Sequence, residues 1–109
     1  MTMTKKAIKI NMPPSHPGSV IRQLILPPDM KVGDAAKKLG VSRQSLDALL
    51  NERRSLSPAM AFKIETVFGG TARSLLAIQT RYDLHKITQN PSAVIEGLTP
   101  YQHPAKALP

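Results

Sequence analysis

In Val32-Gly-Asp-Ala-Ala-Lys-Lys-Leu-Gly40-Val-Ser-Arg-Gln-Ser-Leu-Asp-Ala-Leu-Leu-Asn51, two short helical patterns meet at a turn of about three residues. That is the geometry of a helix-turn-helix. Each residue type has a physical reason. Ala36 is small because a second helix crosses close to it. Gly40 permits the positive φ that the turn needs. Ser42 is placed to cap the second helix by accepting a free backbone N–H. Val41, Leu46 and Leu49 pin that helix to the domain. The competing reading is an ordinary helical hairpin inside a bundle with no DNA role. The caps and the charge, taken together, weigh against it.

On a wheel of about 100° per residue, Leu46, Leu49 and Leu50 centre the buried side of the second helix. The opposite side carries Gln44, Ala48 and Asn51, flanked by Asp47 and Glu52. Recognition helices present mainly their N-terminal residues to base edges in the major groove. Arg43 suits guanine O6/N7, Gln44 suits adenine N6/N7, and Ala48 suits a thymine methyl. Ser42, Arg53 and Arg54 suit phosphates, which set position rather than sequence. Asp47 has three readings: an acceptor for cytosine N4, a device that repels phosphate, or an ion-pair partner for Arg43 or Arg54. Taken singly, a surface Arg or Gln is usually just a solvated side chain. Their placement on one face favours DNA contact.

The flanking sequence also reads as helices. Pro17 fits the first position of a helix whose Val20, Ile21, Leu24 and Ile25 form one apolar stripe, and Pro27-Pro28 stops it. Ser57-Pro58 is a cap followed by proline at the first helical position, a strong start signal. Met60, Ala61, Ile64, Val67 and Phe68 follow in helical spacing, closed by Gly69-Gly70. Thr71 caps a fifth helix carrying Leu75, Leu76, Ile78, Tyr82 and Leu84. Only Ala7-Ile8-Lys9-Ile10 shows strand-like alternation, and it is short.

The chain has 109 residues, so one domain is expected. It holds 15 Lys+Arg against 7 Asp+Glu, a formal net charge of +8. Such a balance favours polyanionic partners. Residues 1–15 read as a flexible basic arm with Lys5, Lys6 and Lys9, residues 16–86 as the helical domain, and residues 87–109 as a proline-rich tail. Asn90-Pro91 is placed to start a short helix near 91–96 that Gly97 would end. With no Cys, a disulfide scaffold, a thiol nucleophile and Cys-based metal sites are excluded. His16, His85 and His103 lack metal-ligand spacing, and His16 is placed to cap the first helix. Gly69-Gly70 lacks a phosphate-loop pattern, and the acids are scattered. No catalytic residue, metal or cofactor is therefore expected. No apolar run suits a membrane span and no secretory signal is visible, so a cytoplasmic location is expected.

Several motifs together resemble the HigA antitoxins of the Xre/lambda-repressor-like helix-turn-helix group. They are His16-Pro17-Gly18, Val20-Ile21-Arg22, Ala35 to Leu46, Leu50-Asn51 with Arg53-Arg54, Leu56-Ser57-Pro58 with Met60-Ala61, Phe68-Gly69, and Gln79 with Tyr82-Asp83-Leu84. The resemblance spans about residues 16–86. It implies an all-α, five-helix, lambda-repressor-like DNA-binding domain. It also implies a homodimer, repression of its own operon through double-stranded operator DNA, and neutralisation of a HigB-type toxin, a ribosome-dependent mRNA endonuclease. At Ser74-Leu75 the chain lacks the aromatic pair usual in the family, and its tail is longer.

A dimer also answers a physical need, since one short helix reads few base pairs. The expected interface is helix five, with Leu75, Ile78, Gln79 and Tyr82; for Ile78 and Tyr82 closure of the core is an equal alternative. Helix one, the basic arm or Asn90–Leu98 are alternative toxin contacts. A stand-alone repressor without a toxin is the second functional reading, and a protein-interaction module that keeps the fold is the third.

Overall fold

The computed structural model describes residues 13–105, and Lys5, Lys6, Lys9, Ala7–Ile10 and Lys106 lie outside them. Within the described residues the chain is all-helical. Helix α1 (Pro17–Val20) runs directly into a π-helical turn, Ile21–Ile25. Then follow α2 (Val32–Leu39), α3 (Arg43–Leu50), α4 (Pro58–Val67), α5 (Ala72–Gln89) and a single short turn, α6 (Ser92–Ile95).

The starts and stops have local causes. Ser42, Ser57 and Thr71 each accept the backbone N–H three residues on, at 3.1 Å. His16 caps α1 through Nδ1, which accepts from Gly18 N at 2.9 Å. Gly40 takes the left-handed conformation (φ 71°), and Val41 N then reaches back to the Ala36 carbonyl. At the start of α5, the Glu65 carboxylate accepts from Ala72 N at 2.7 Å, fixing the angle between α4 and α5.

The core joins α1 to α5 around Ile21, Ala35, Ala36, Leu39, Leu46, Leu49, Leu50, Leu56, Ala61, Ile64 and Leu75. Helix α1 packs on α3 and α5, α2 on α3 and α4, and α4 on α5. The seat of α1 is very close: a Cβ on Gly18 would overlap the Leu49 carbonyl oxygen of α3. This accounts for the glycine of the His-Pro-Gly opening.

Three expectations about apolar faces are corrected. Leu24 is 79% exposed rather than part of the α1 stripe. The cause is the π-turn, in which Leu26 N bonds to the Ile21 carbonyl. An i+5→i turn holds an extra residue, so Ile25 and Leu26 pack on the core and Leu24 is carried outward. Val67 and Leu84 are likewise exposed. Helix α5 runs past the expected domain end at residue 86 to Gln89. The Asn90 side chain caps no backbone N–H of α6, since its Oδ1 accepts from the Ser92 hydroxyl at 3.3 Å while its carbonyl accepts from Ala93 N.

Candidate nucleic-acid interface

Helix α3 is seated on a floor of leucines. Leu46, Leu49 and Leu50 are buried, while Ser42, Arg43, Gln44 and Asn51 are exposed and Asp47 and Ala48 half-buried. The side that carries base-reading chemistry thus faces solvent at the helix N-terminus. Arg43, Gln44 and Asp47 line a small cleft of about 170 Å³. The stem of Arg43 leans toward α2, since a Cβ on Gly33 would lie 3.8 Å from Arg43 Cδ.

A polar network organises the C-terminal end of α3. Arg53 Nη2 pairs with Asp47 Oδ2 at 3.1 Å. Asn51 Nδ2 donates to the Asp47 carboxylate and backbone carbonyl, and Asn51 Oδ1 accepts from Arg22 Nη2 at 3.1 Å. Arg54 Nη1 donates to Ser45 Oγ at 3.1 Å. Asp47 is therefore the partner of Arg53 and Asn51, not of Arg43 or Arg54. The reason is the sharp turn after α3, which folds Arg53 back over the helix. In the sequence Arg22 and Ser45 stand only as motif residues with no role assigned, and the π-turn that aims Arg22 at Asn51 leaves no periodic signature.

That sharp turn rests on Glu52, the one non-glycine residue of positive φ (64°) among the described residues. Glu52 N bonds to the Leu49 carbonyl and Arg53 N to the Ala48 carbonyl at 2.8 Å, which is a Schellman closure. Glycine is the usual occupant because an L side chain is strained there. The left-handed residue reverses the chain, so that Arg53 reaches back to Asp47 and Arg54 to Ser45 on α3.

Leu75 and Gln79 do not face outward for a second copy, as expected from sequence; both are buried in the protomer's own interior. Gln79 Oε1 accepts from Leu56 N at 2.7 Å, and its Nε2 donates to Asp83 Oδ1 at 2.9 Å. The amide satisfies a backbone donor that the packed loop would otherwise orphan. Tyr82 is half-buried and meets His16 edge-on, with ring centroids 4.8 Å apart. Ile78 packs against the core. Of the four α5 residues expected at an interface, Leu75 and Gln79 thus close the domain, while Ile78 and Tyr82 are half-buried.

Comparison with known proteins agrees with this geometry. A family model described as Helix-turn-helix matches residues 21–75. Virulence-associated protein I of Dichelobacter nodosus is 33% identical over 93 residues, covering 84% of this chain and 86% of that protein. Antitoxin GraA superposes with a TM-score of 0.73 at 26% identity, covering 84% of this chain and 100% of the other, and has also been solved with its operator. An addiction module antidote protein of the HigA family from Coxiella burnetii gives a TM-score of 0.67 at 27% identity, over 83% of this chain and 100% of the other. On both sequence and fold, the chain belongs to the Xre-like helix-turn-helix family of HigA-type antitoxins.

Proposed function

We propose that this antitoxin binds operator DNA as a dimer, represses its own operon in the cytoplasm and neutralises a HigB-type toxin. One observation carries the DNA reading. Arg43 and Gln44 stand exposed at the first turn of α3 while Leu46, Leu49 and Leu50 anchor its other side. Arg43 and Gln44 read base edges, with Ala48 behind them against a thymine methyl. Ser42, Arg53 and Arg54 hold phosphates, while Asp47 keeps Arg53 in place and Asn51, on the outward side of the helix, braces Arg22. GraA, solved in complex with its operator, supports operator binding by likeness.

The test is operator affinity measured by fluorescence anisotropy. Arg43→Ala and Gln44→Ala should each weaken operator binding by about 1–3 kcal/mol and relax base preference at one position. Unchanged affinity on both substitutions overturns the groove assignment. The toxin part is tested by co-purification with a HigB-type toxin encoded beside this gene. A toxin that stays free, while the chain still binds the operator, favours the stand-alone repressor.

A further inference from the structure

A second cleft, of about 140 Å³, lies where the turn after α3 meets α5. It holds polar groups that the fold leaves unused. His16 is only 4% exposed, yet it lines this cleft. Its Nδ1 accepts from Gly18 N, so the proton of the neutral ring lies on Nε2. Among the described residues nothing accepts that proton, and every side-chain N or O shut off from solvent has a partner, so Nε2 opens onto the cleft. The Tyr82 hydroxyl is in the same position: it makes no hydrogen bond to the described residues, while its ring packs edge-on against His16. The Lys86 ammonium stands over the Tyr82 ring, 5.5 Å from its centroid. Arg53 and Arg54 line the cleft from the turn. Each of these five groups offers a hydrogen to an anionic oxygen.

Charge narrows the ligand. Three bases and two acids, Glu52 and Asp83, line the cleft, a net of one positive charge. That balances a phosphodiester, which carries one negative charge, and not the nearly double charge of a phosphorylated side chain. Asp83 is turned to Gln79, whose Nε2 donates to its Oδ1 at 2.9 Å. The source of the phosphodiester follows from what the cleft adjoins. Arg53 pairs through Nη2 with Asp47, and Asp47 lines the base-reading cleft together with Arg43 and Gln44. The two clefts therefore share one ion pair as their border.

We propose that this second cleft seats one phosphate of the operator backbone, beyond those held beside α3, with His16 Nε2, the Tyr82 hydroxyl and the Lys86 ammonium as its donors. This rests on the proposed reading of the chain as an operator binder, and it adds contacts from the start of α1 and from α5. His16 then works with both nitrogens. One caps α1 and the other holds the phosphate, so the backbone of the DNA ties α1 and α5 to the turn after α3.

The experiment is operator affinity by fluorescence anisotropy, at several salt concentrations, for the wild type, Tyr82→Phe and Lys86→Gln. Phenylalanine keeps the ring against His16 and removes only the hydroxyl, and Lys86 is exposed, so far-UV circular dichroism should show unchanged helicity for both. Tyr82→Phe should weaken operator binding at least roughly tenfold, the effect of losing a hydrogen bond to a charged oxygen. Lys86→Gln should lower the slope of log affinity against log salt by about one for each seated phosphate. The position is found with operator duplexes in which single backbone phosphates are replaced by uncharged methylphosphonates. One position in each half-site should weaken the wild type and leave a Tyr82→Phe/Lys86→Gln variant almost unaffected. Absence of that coupling at every position overturns the inference. So do variants that bind the operator like the wild type, including ones that lose instead an acidic protein partner. Arg43→Ala in the same assay judges the DNA reading separately. If it weakens binding while the coupling is absent, the reading stands and the cleft seats no phosphate. If Arg43→Ala and Gln44→Ala change nothing while the coupling is present, the groove assignment fails and the phosphate seat stands.

Discussion

Gly18 shows how little room separates α1 from α3. A single methyl there would overlap the Leu49 carbonyl oxygen and press on His16 Nδ1, 3.1 Å away. Neither neighbour is the free end of a flexible chain. Gly18→Ala should therefore destabilise the fold by at least roughly 3 kcal/mol, the upper end of overpacking costs, measured by chemical denaturation. Glu52 argues the opposite way. Its left-handed backbone is strained, so Glu52→Gly should stabilise the protein by about 1 kcal/mol in the same measurement, with the turn unchanged. A loss of stability would show that the Glu52 side chain holds the turn through contacts stronger than its strain. Gly18 was visible in the sequence only as part of a motif. Glu52 was invisible, because nothing in a glutamate announces positive φ.

At the scale of elements, the caps were the most legible feature. Ser42, Ser57, Thr71 and Gly40 mark helix ends through short-range chemistry that depends on no distant partner. Periodicity failed where an element departs from regular helix. The π-turn shifts phase by one residue, so Leu24 was assigned inward and is exposed. It failed again on α5, where a glutamine amide serves the core. A polar residue at an interior position looks like a surface residue until its hydrogen-bond partners are known. The Leu56 N–H that Gln79 satisfies makes the element's role testable. Gln79→Leu keeps the bulk but leaves that donor unpaired, so it should cost about 1–3 kcal/mol of folding stability, read from thermal or denaturant unfolding. A neutral result would mean that water reaches the Leu56 amide.

Over the whole molecule, the basic balance makes the DNA complex salt-sensitive. Arg22, Arg43, Arg53 and Arg54 are all exposed on or beside α3. Binding that neutralises several phosphates should weaken steeply between about 50 and 200 mM salt. Arg53→Ala should weaken all sequences alike and lower the slope of log affinity against log salt by about one. A slope unchanged by that substitution would mean that Arg53 only braces Asp47. The fold class was legible because five helices are enough to bury the leucine floor. The location of a partner surface was not. Whether an apolar stripe on α5 faces inward or outward depends on where α1 and α4 sit, and no single helix records that.

The bond between Gln79 and the loop after α3 also gives the protein a built-in reporter. The Leu56 amide proton is held by a side chain from a helix 23 positions further along the chain. Its exchange with deuterium therefore times the lifting of α5, not the fraying of its own loop. In a spectrum of the intact protein that one slow resonance should fade together with the amides of central α5, while its immediate neighbours fade much sooner.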